Sequence, residues 1–376
     1  MTAMASPVAS SPPTVLALRL GLAPPAPPAS VWVAAALAIV AAATARQAHG
    51  ADGGTAMGVP APSSAGRIDS REVIVPVPGA ERMRIDNPLG NVTVRAWDRT
   101  DAVHIVAEKR SASAEALARL RVHFTAWAGG EVSVETRVDM GDRERALPLA
   151  QSRIDLLVEV PANLEIEAKT FAGDLSASGL RAGARLETTG GRIGVSDVWG
   201  RVTTHQLRGG QTVTAVEGDV NVEGVEGNVD LQRIAGARGE ARVVDGDIRA
   251  EDIHAKEVRL ATTTGQVILL GVLRPRAHYD LRSYSGEVRV ALLGTPSPPV
   301  GFELRTRSPV PIVSEIPLRT VWQKGERLRA IAAAAGGRAV ADAERPVVEL
   351  ASVLGRVFLT APQPADGRAR AETPTP

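Results

Sequence analysis

"VEGDVNVEGVEGNVDLQRIAG", residues 216–236, places glycines at 218, 227 and 236, with apolar residues at matching offsets behind the first two. The same nine-residue step runs back to Gly173. Unit boundaries fall at 173, 182, 191, 200, 209, 218, 227 and 236, and all except Ala182 are glycine. At offsets +2, +4 and +7 the units supply Leu175, Ala177 and Leu180; Ile193, Val195 and Val198; Val220, Val222 and Val225; Val229, Leu231 and Ile234. Offsets +2 and +4 share one face of a strand, and glycine permits a turn or a close backbone approach. All three offsets are expected to point inward. Thr189, Thr204 and Gln211 are the polar exceptions in those slots. Added residues move the phase to 237 and 246, then to 256 and 265, and "RPR" (274–276) moves it to 277 and 286 without breaking the pattern.

Repetition at this period lets neighbouring units bury a core that no unit buries alone. The expected fold is all-β: a β-solenoid-like stack of Gly-x-Φ-x-Φ-x-x-Φ-x units, two per eighteen-residue coil. An N-terminal β-sheet segment with one short helix precedes it. An antiparallel meander with one strand per unit satisfies the same pattern. Strand-like runs precede the repeat, among them "REVIVPV" (71–77), "NVTVRAW" (91–97), "AVHIVAEK" (102–109) and "IDLLVEVP" (154–161). Ser113 heads a stretch of helix formers, 113–120, and 139–150 reads as a loop. The expected segments are 1–50 signal peptide, 51–67 flexible linker, 68–170 N-terminal β segment, 171–293 repeat, 294–361 C-terminal strands and cap, and 362–376 disordered tail.

Composition narrows the function classes. The chain has 376 residues, 44% of them hydrophobic and 3% aromatic, so the core must be aliphatic and regularly layered. Forty-three basic and 42 acidic residues give a net charge of +1, which provides no polyelectrolyte footprint for nucleic acid. There is no cysteine, which removes disulfides, thiolate metal sites and a cysteine nucleophile. "VWVAAALAIVAAA" (31–43) is an uncharged apolar run of thirteen residues, a signal-peptide length rather than a spanning one. Cleavage between Gly50 and Ala51 would export the chain to the periplasm or cell surface; an uncleaved anchor is the alternative.

Four passages together resemble a known family: "RIDNPLGNVTVRAWD" (84–98), "VEVPANLEIEAKTFAGDLSASGL" (158–180), the Gly-x-Val-x-Val ladder, and "YDLRSYSGEVRVALL" (279–293). Their order is similar to that of the bacterial "putative adhesin" family of β-strand repeats. The resemblance spans roughly residues 70–360 and implies an exported, right-handed β-solenoid-like protein without an established enzymatic activity. Near the end the chain departs from the pattern, with an Ala-rich stretch at 328–346 and Leu354 where serine is expected before Gly355.

No nucleophile elbow, zinc-protease helix or phosphate loop is present. No catalytic, metal or cofactor-binding residues are assigned, and no cofactor is expected. Asp245, Asp247, Glu251 and Asp252 read as a charged turn before a calcium site, because one acidic cluster makes no ladder. Under two units per coil, one outer face carries Arg185, Glu187, His205, Glu223, Glu240, Arg242, Arg259, Asp280 and Arg282. The other carries Ser176, Ser178, Ser196, Thr212 and Thr214, a flat face of short hydroxyl side chains and the candidate contact face. Ile268 and Leu270 are outward yet apolar, and another segment is expected to pack on them. The expected role is a non-catalytic envelope or surface protein contacting an envelope protein or polysaccharide. The alternatives are a polysaccharide-processing β-solenoid enzyme and a self-assembling envelope scaffold.

Overall fold

The computed structural model describes residues 67–126, 130–139, 152–293, 301–309, 312–333, 341 and 344–363. The expected signal peptide (1–50), the linker (51–67) apart from Arg67, the loop (139–150) apart from Asp139, and the tail (362–376) apart from Pro362 and Gln363, lie outside the described residues. Within them, 25 strands form one continuous hydrogen-bonded system folded into two facing sheets. The eighteen-residue coil is therefore real. Each coil contributes one strand to each sheet, and successive coils stack in parallel, which rules out the antiparallel meander across the repeat.

Sheet one is built around β8 (Glu165–Ala172), β10 (Ala184–Gly190), β12 (Val202–Arg208) and β14 (Val220–Glu226). It continues through the second halves of β15 (Val229–Asp245) and β16 (Ile248–Thr264) to β18 (His278–Ser283). Sheet two runs through β9 (Leu175–Ser178), β11 (Ile193–Trp199) and β13 (Gln211–Glu217). It then takes the first halves of β15 and β16, followed by β17 (Val267–Gly271) and β19 (Val288–Leu293). β15 and β16 pass round the corner without a break and so join the sheets.

The ends do not follow chain order. β2 (Arg82–Leu89) and β3 (Val92–Trp97) form a coil against β8 and β9. β6 (Glu131–Val138) and β7 (Arg153–Pro161), made later, stack outside that coil. Antiparallel β4 (Ala102–Ser111) and β1 (Arg67–Pro76) extend sheet two, and β5 (Leu120–Ala126) extends sheet one. The distal end repeats the device. β24 (Val347–Ser352) and β25 (Val357–Gln363) insert between the β18/β19 coil and β20 (Phe302–Arg307) with β21 (Ile312–Ser314). β23 (Arg327–Ala332) and β22 (Leu318–Lys324) then close sheet one in antiparallel fashion. Residues 68–170 thus share one stack with the repeat. The expected helix is α1 (Ala114–Ala118), capped by the Ser113 hydroxyl, which accepts from Ala116 N at 3.1 Å.

Offsets +2 and +4 are buried throughout, as the alternation requires. Offset +7 is not uniform, and here the expectation is corrected. In sheet-two units Leu180, Val198, Val216, Ile234 and Ile253 are buried. In sheet-one units Leu207, Val225 and Val244 are 44%, 44% and 51% exposed. The cause is a backbone switch at offset +6. Gly179, Asp197, Ala215, Arg233 and Asp252 have φ between 53° and 73°, and this left-handed step turns the next side chain inward. Sheet-one strands lack that step, so +2, +4 and +6 alternate inward and +7 falls outside.

Offset +6 of sheet one consequently lines an inner corner with short polar groups. Thr188 and Thr262 donate through Oγ1 to the carbonyls of Gly173 (3.3 Å) and Gly246 (2.9 Å), and Gln206 donates to Gly191. Ser283 and Ser352 donate to Gly265 and Gly286, both at 2.8 Å. At the proximal end Asn87 fills the slot, donating to Ile154 O at 2.8 Å and accepting from Thr136 at 2.6 Å. The glycines stack in their own column. A Cβ on Gly191 would overlap the carbonyl of Gly173, and one on Gly227 that of Gly209. Close approach therefore demands glycine at these corners. The distal coil keeps the same device: Ser352 Oγ accepts from Gly355 N at 2.9 Å, as Ser283 Oγ does from Gly286 N at 2.8 Å. Serine three residues before the glycine, not one, is what the corner needs, which frees position 354.

Candidate contact faces

The sheet-two outer face gathers all five candidate residues. Ser176 lies beside Gly194 and then Thr212, and Ser178 beside Ser196 and then Thr214, on the adjacent strands β9, β11 and β13. Each is half-buried or exposed, and none of the five hydroxyls has an intramolecular hydrogen bond. The strip extends by one coil that the sequence reading missed, since Thr93 and Arg95 of β3 lie beside Ser176 and Ser178. The signal was present: Gly90 is followed by Val92 and Val94 at +2 and +4, the same unit displaced 83 residues upstream. Gly50 and Ala51 lie outside the described residues.

The sheet-one outer face is an ion-pair lattice. Lys169 reaches Glu187 at 3.0 Å, His205 reaches Glu223 at 3.0 Å, Arg242 reaches Glu240 at 2.5 Å, and Arg282 reaches Asp280 at 2.6 Å. Arg259 pairs with Glu257. These carboxylates are engaged by basic side chains along and across strands rather than directed at one another over a cleft, the arrangement that glycoside chemistry requires. The acidic turn is similarly dispersed. Asp247 accepts from Gln266 N at 2.7 Å, Asp245 accepts from Thr264 at 2.9 Å, and Asp252 meets His254 at 2.5 Å.

Ile268 and Leu270 are half-buried by in-register neighbours. Ile268 lies beside Arg289, which stands 5.1 Å over the ring of Phe358 on the next strand. Phe358, in the chain after 300, lies two strands from Ile268 and covers Arg289 rather than the patch itself. A shallow pocket lined in part by Leu269, Val272, Leu273, Tyr279 and Val290 has a cavity volume of about 10 Å³, far below the usual size of a ligand site.

At the proximal end His104 is held between two carboxylates, Nδ1 to Glu159 at 2.7 Å and Nε2 to Glu72 at 2.8 Å, with the Trp97 ring stacked at 5.7 Å. The hydrogen bond to Glu159 is the largest influence, opposed by burial and reinforced by the hydrogen bond to Glu72. Together they raise the imidazole above its ordinary 6.5. The site ties the edge strand β1 to β4 and β7.

Among the described residues no helix is long and apolar enough to cross a membrane. Several solved structures are similar to the chain at low scores. A "putative adhesin" from Bacteroides fragilis matches at 11% identity and TM-score 0.38, covering 78% of this chain and 97% of that one. A "putative lipid binding protein" from Parabacteroides distasonis matches at 11% identity and TM-score 0.36, covering 78% and 97%. A "putative cell adhesion protein" from Clostridium sporogenes matches at 10% identity and TM-score 0.21, covering 78% and 99%. At these scores the likenesses carry no functional argument. No curated protein matches the chain. Residues 80–294 match the family model described as Toastrack DUF4097, which takes in the coils from β2/β3 to β18/β19. The chain belongs to the Toastrack DUF4097 family.

Proposed function

We propose that this is an exported, non-catalytic protein of the cell envelope or surface that uses the sheet-two outer face to contact an extended partner, in the first instance a polysaccharide. The observation that carries the reading is the array of in-register hydroxyls on β9, β11 and β13, none of them spent on the protein's own hydrogen bonds. Short hydroxyl side chains lose little rotamer entropy on contact. Their spacing follows the strands, about 4.8 Å along the stack, so the array suits a linear ligand more than a compact one. The N-terminal apolar run at 31–43 supports export.

The test is binding of the purified chain to a panel of cell-wall and matrix polysaccharides, with Ser196→Arg and Thr214→Arg as the face-blocking variant. Binding lost in the variant at an unchanged melting temperature supports the reading, and retained binding removes this face. Turnover of any polysaccharide that disappears in Glu187→Ala or Glu223→Ala would instead establish the enzyme reading.

A further inference from the structure

The offset +7 side chains of sheet one form an exposed apolar ridge along one corner of the stack. Leu207, Val225 and Val244 follow one another on successive coils, each about half exposed. Gln206↔Gly224 and Gly224↔Val243 are neighbouring strand positions, so the side chains that follow them are one strand spacing apart. Two columns flank the ridge, offset +5 with Glu187, His205, Glu223 and Arg242, and offset +8 with Arg208, Glu226 and Asp245.

We propose that a second copy of this chain covers the ridge, antiparallel, about a two-fold axis midway between the Leu207 and Val225 levels. The argument is charge complementarity. An in-plane two-fold perpendicular to the ridge keeps each column opposite itself and reverses its order. With the axis placed there, Leu207 meets Val225 of the second copy and Thr189 meets Val244. His205 then faces Glu223, Arg208 faces Glu226, and Glu187 faces Arg242. An axis through Leu207 sets Arg208 against itself. One through Val225 sets Glu223 and Glu226 against themselves, and one between Val225 and Val244 sets Glu226 against Asp245. Like charges at such distances oppose association. An axis between Thr189 and Leu207 brings no like charges together but leaves Arg208 facing Gly190 and Glu226 facing Ala172, so only the proposed register gives both Arg208 and Glu226 an oppositely charged partner. Among the described residues Arg208 and Glu226 make no ion pair closer than 4.0 Å, which leaves both available to the second copy. The ridge and the hydroxyl strip use different residues, so the two proposals stand separately.

The absence of cysteine makes the test direct. Thr189→Cys and Val244→Cys are prepared as separate single variants and oxidised alone and mixed. In the proposed dimer each new cysteine lies about 14 Å from its own counterpart, three strand spacings, too far to bridge. Each is opposite the other variant's cysteine. A disulfide-linked dimer in the mixture and in neither single sample is the expected result. Equal linkage in single samples would mean a parallel ridge contact and would overturn the register. Sedimentation of the unmodified chain should show a concentration-dependent dimer. Leu207→Lys with Val225→Lys should abolish it while leaving the circular dichroism unchanged. A chain that stays monomeric at about 100 µM, or a dimer indifferent to those lysines, would overturn the proposal. Arg208→Glu should weaken the dimer at least tenfold, and adding Glu226→Arg should restore it.

Discussion

Thr204 and Gln211 meet across the core from opposite sheets, the Thr204 hydroxyl donating to Gln211 Oε1 at 2.6 Å while Gln211 Nε2 donates to Glu223 O at 2.9 Å. Both residues are buried, at 0% and 2% exposure. The glutamine reaches the space over Gly224, where a Cβ would come within 3.1 Å of its Nε2. Thr204→Val should leave Gln211 Oε1 without a donor and cost about 1–3 kcal/mol. Thr204→Val with Gln211→Leu removes both polar partners and should recover most of that loss. Urea denaturation of the four proteins of this cycle checks it, and additive losses would show that the two side chains are not coupled.

Glycine at the corner has a sharp test because the face supplies its own control. Gly191→Ala forces a Cβ onto the carbonyl of Gly173 at φ 141°, and should cost on the order of 3 kcal/mol. Gly194→Ala, three residues on, meets nothing within 4 Å and should melt within a few degrees of the parent. Equal melting of the two variants would remove the stacking account of the glycine column.

Val222 is fully buried in β14, between Thr204 and Ala241 on the adjacent strands. Val222→Asp should cost several kcal/mol, since an unpaired carboxylate has no partner there. Loss of soluble protein on expression is the expected outcome. A soluble variant melting like the parent would contradict the inward assignment of offset +4.

The His104 site sets a pH dependence on β1. A neutral imidazole has one N–H for two carboxylates, whereas the imidazolium serves both. The raised pKa means that the protonated site contributes its full stability below about pH 6.5 and loses it as pH climbs through the raised value. The charged groups facing the ring are Glu72 from β1 and Glu159 from β7, with Arg95 beside Glu159 on β3; Trp97 stacks on the ring and Arg99 lies over that indole. Amide exchange along Val73–Val75, corrected for intrinsic rates, should accelerate relative to β2 as the pH rises above about 6.5. The change should shrink in Glu72→Gln, and a flat profile in the parent would exclude the latch.

The architecture was largely legible in the sequence because corner stacking demands glycine and strand alternation demands apolar +2 and +4, both of which leave marks in single residues. Offset +7 was misread in sheet one because valine or leucine there looks the same whether it faces the core or a ridge. The distinguishing marks lay one position earlier. Glycine or aspartate at Gly179, Asp197 and Asp252 tolerates a left-handed φ, whereas Thr188, Gln206 and Thr262 offer donors to a glycine carbonyl; Ala215 and Arg233 in sheet two, and Gly224 and Val243 in sheet one, carry no such mark. The hydroxyl face followed from period alone, but its extension to Thr93 and Arg95 did not, because the Gly90, Val92 and Val94 mark carries no sign that this coil stacks on one 83 residues later.

That reordering at both ends governs how the chain can change length. In the middle of the stack a coil is closed by eighteen residues, as between Ile193 and Gln211, whereas Val92 and Leu175 are joined across 83. The longer closure adds only about 1 kcal/mol of chain entropy, yet it makes the ends depend on distant segments and the middle on its neighbours alone. Deleting residues 191–208 would bring Gly190 to Gly209 and remove one whole coil, leaving both interlocked ends untouched. The stack can therefore gain or lose whole coils by internal duplication or excision, its reach set about 4.8 Å at a time, while its two closures stay the same.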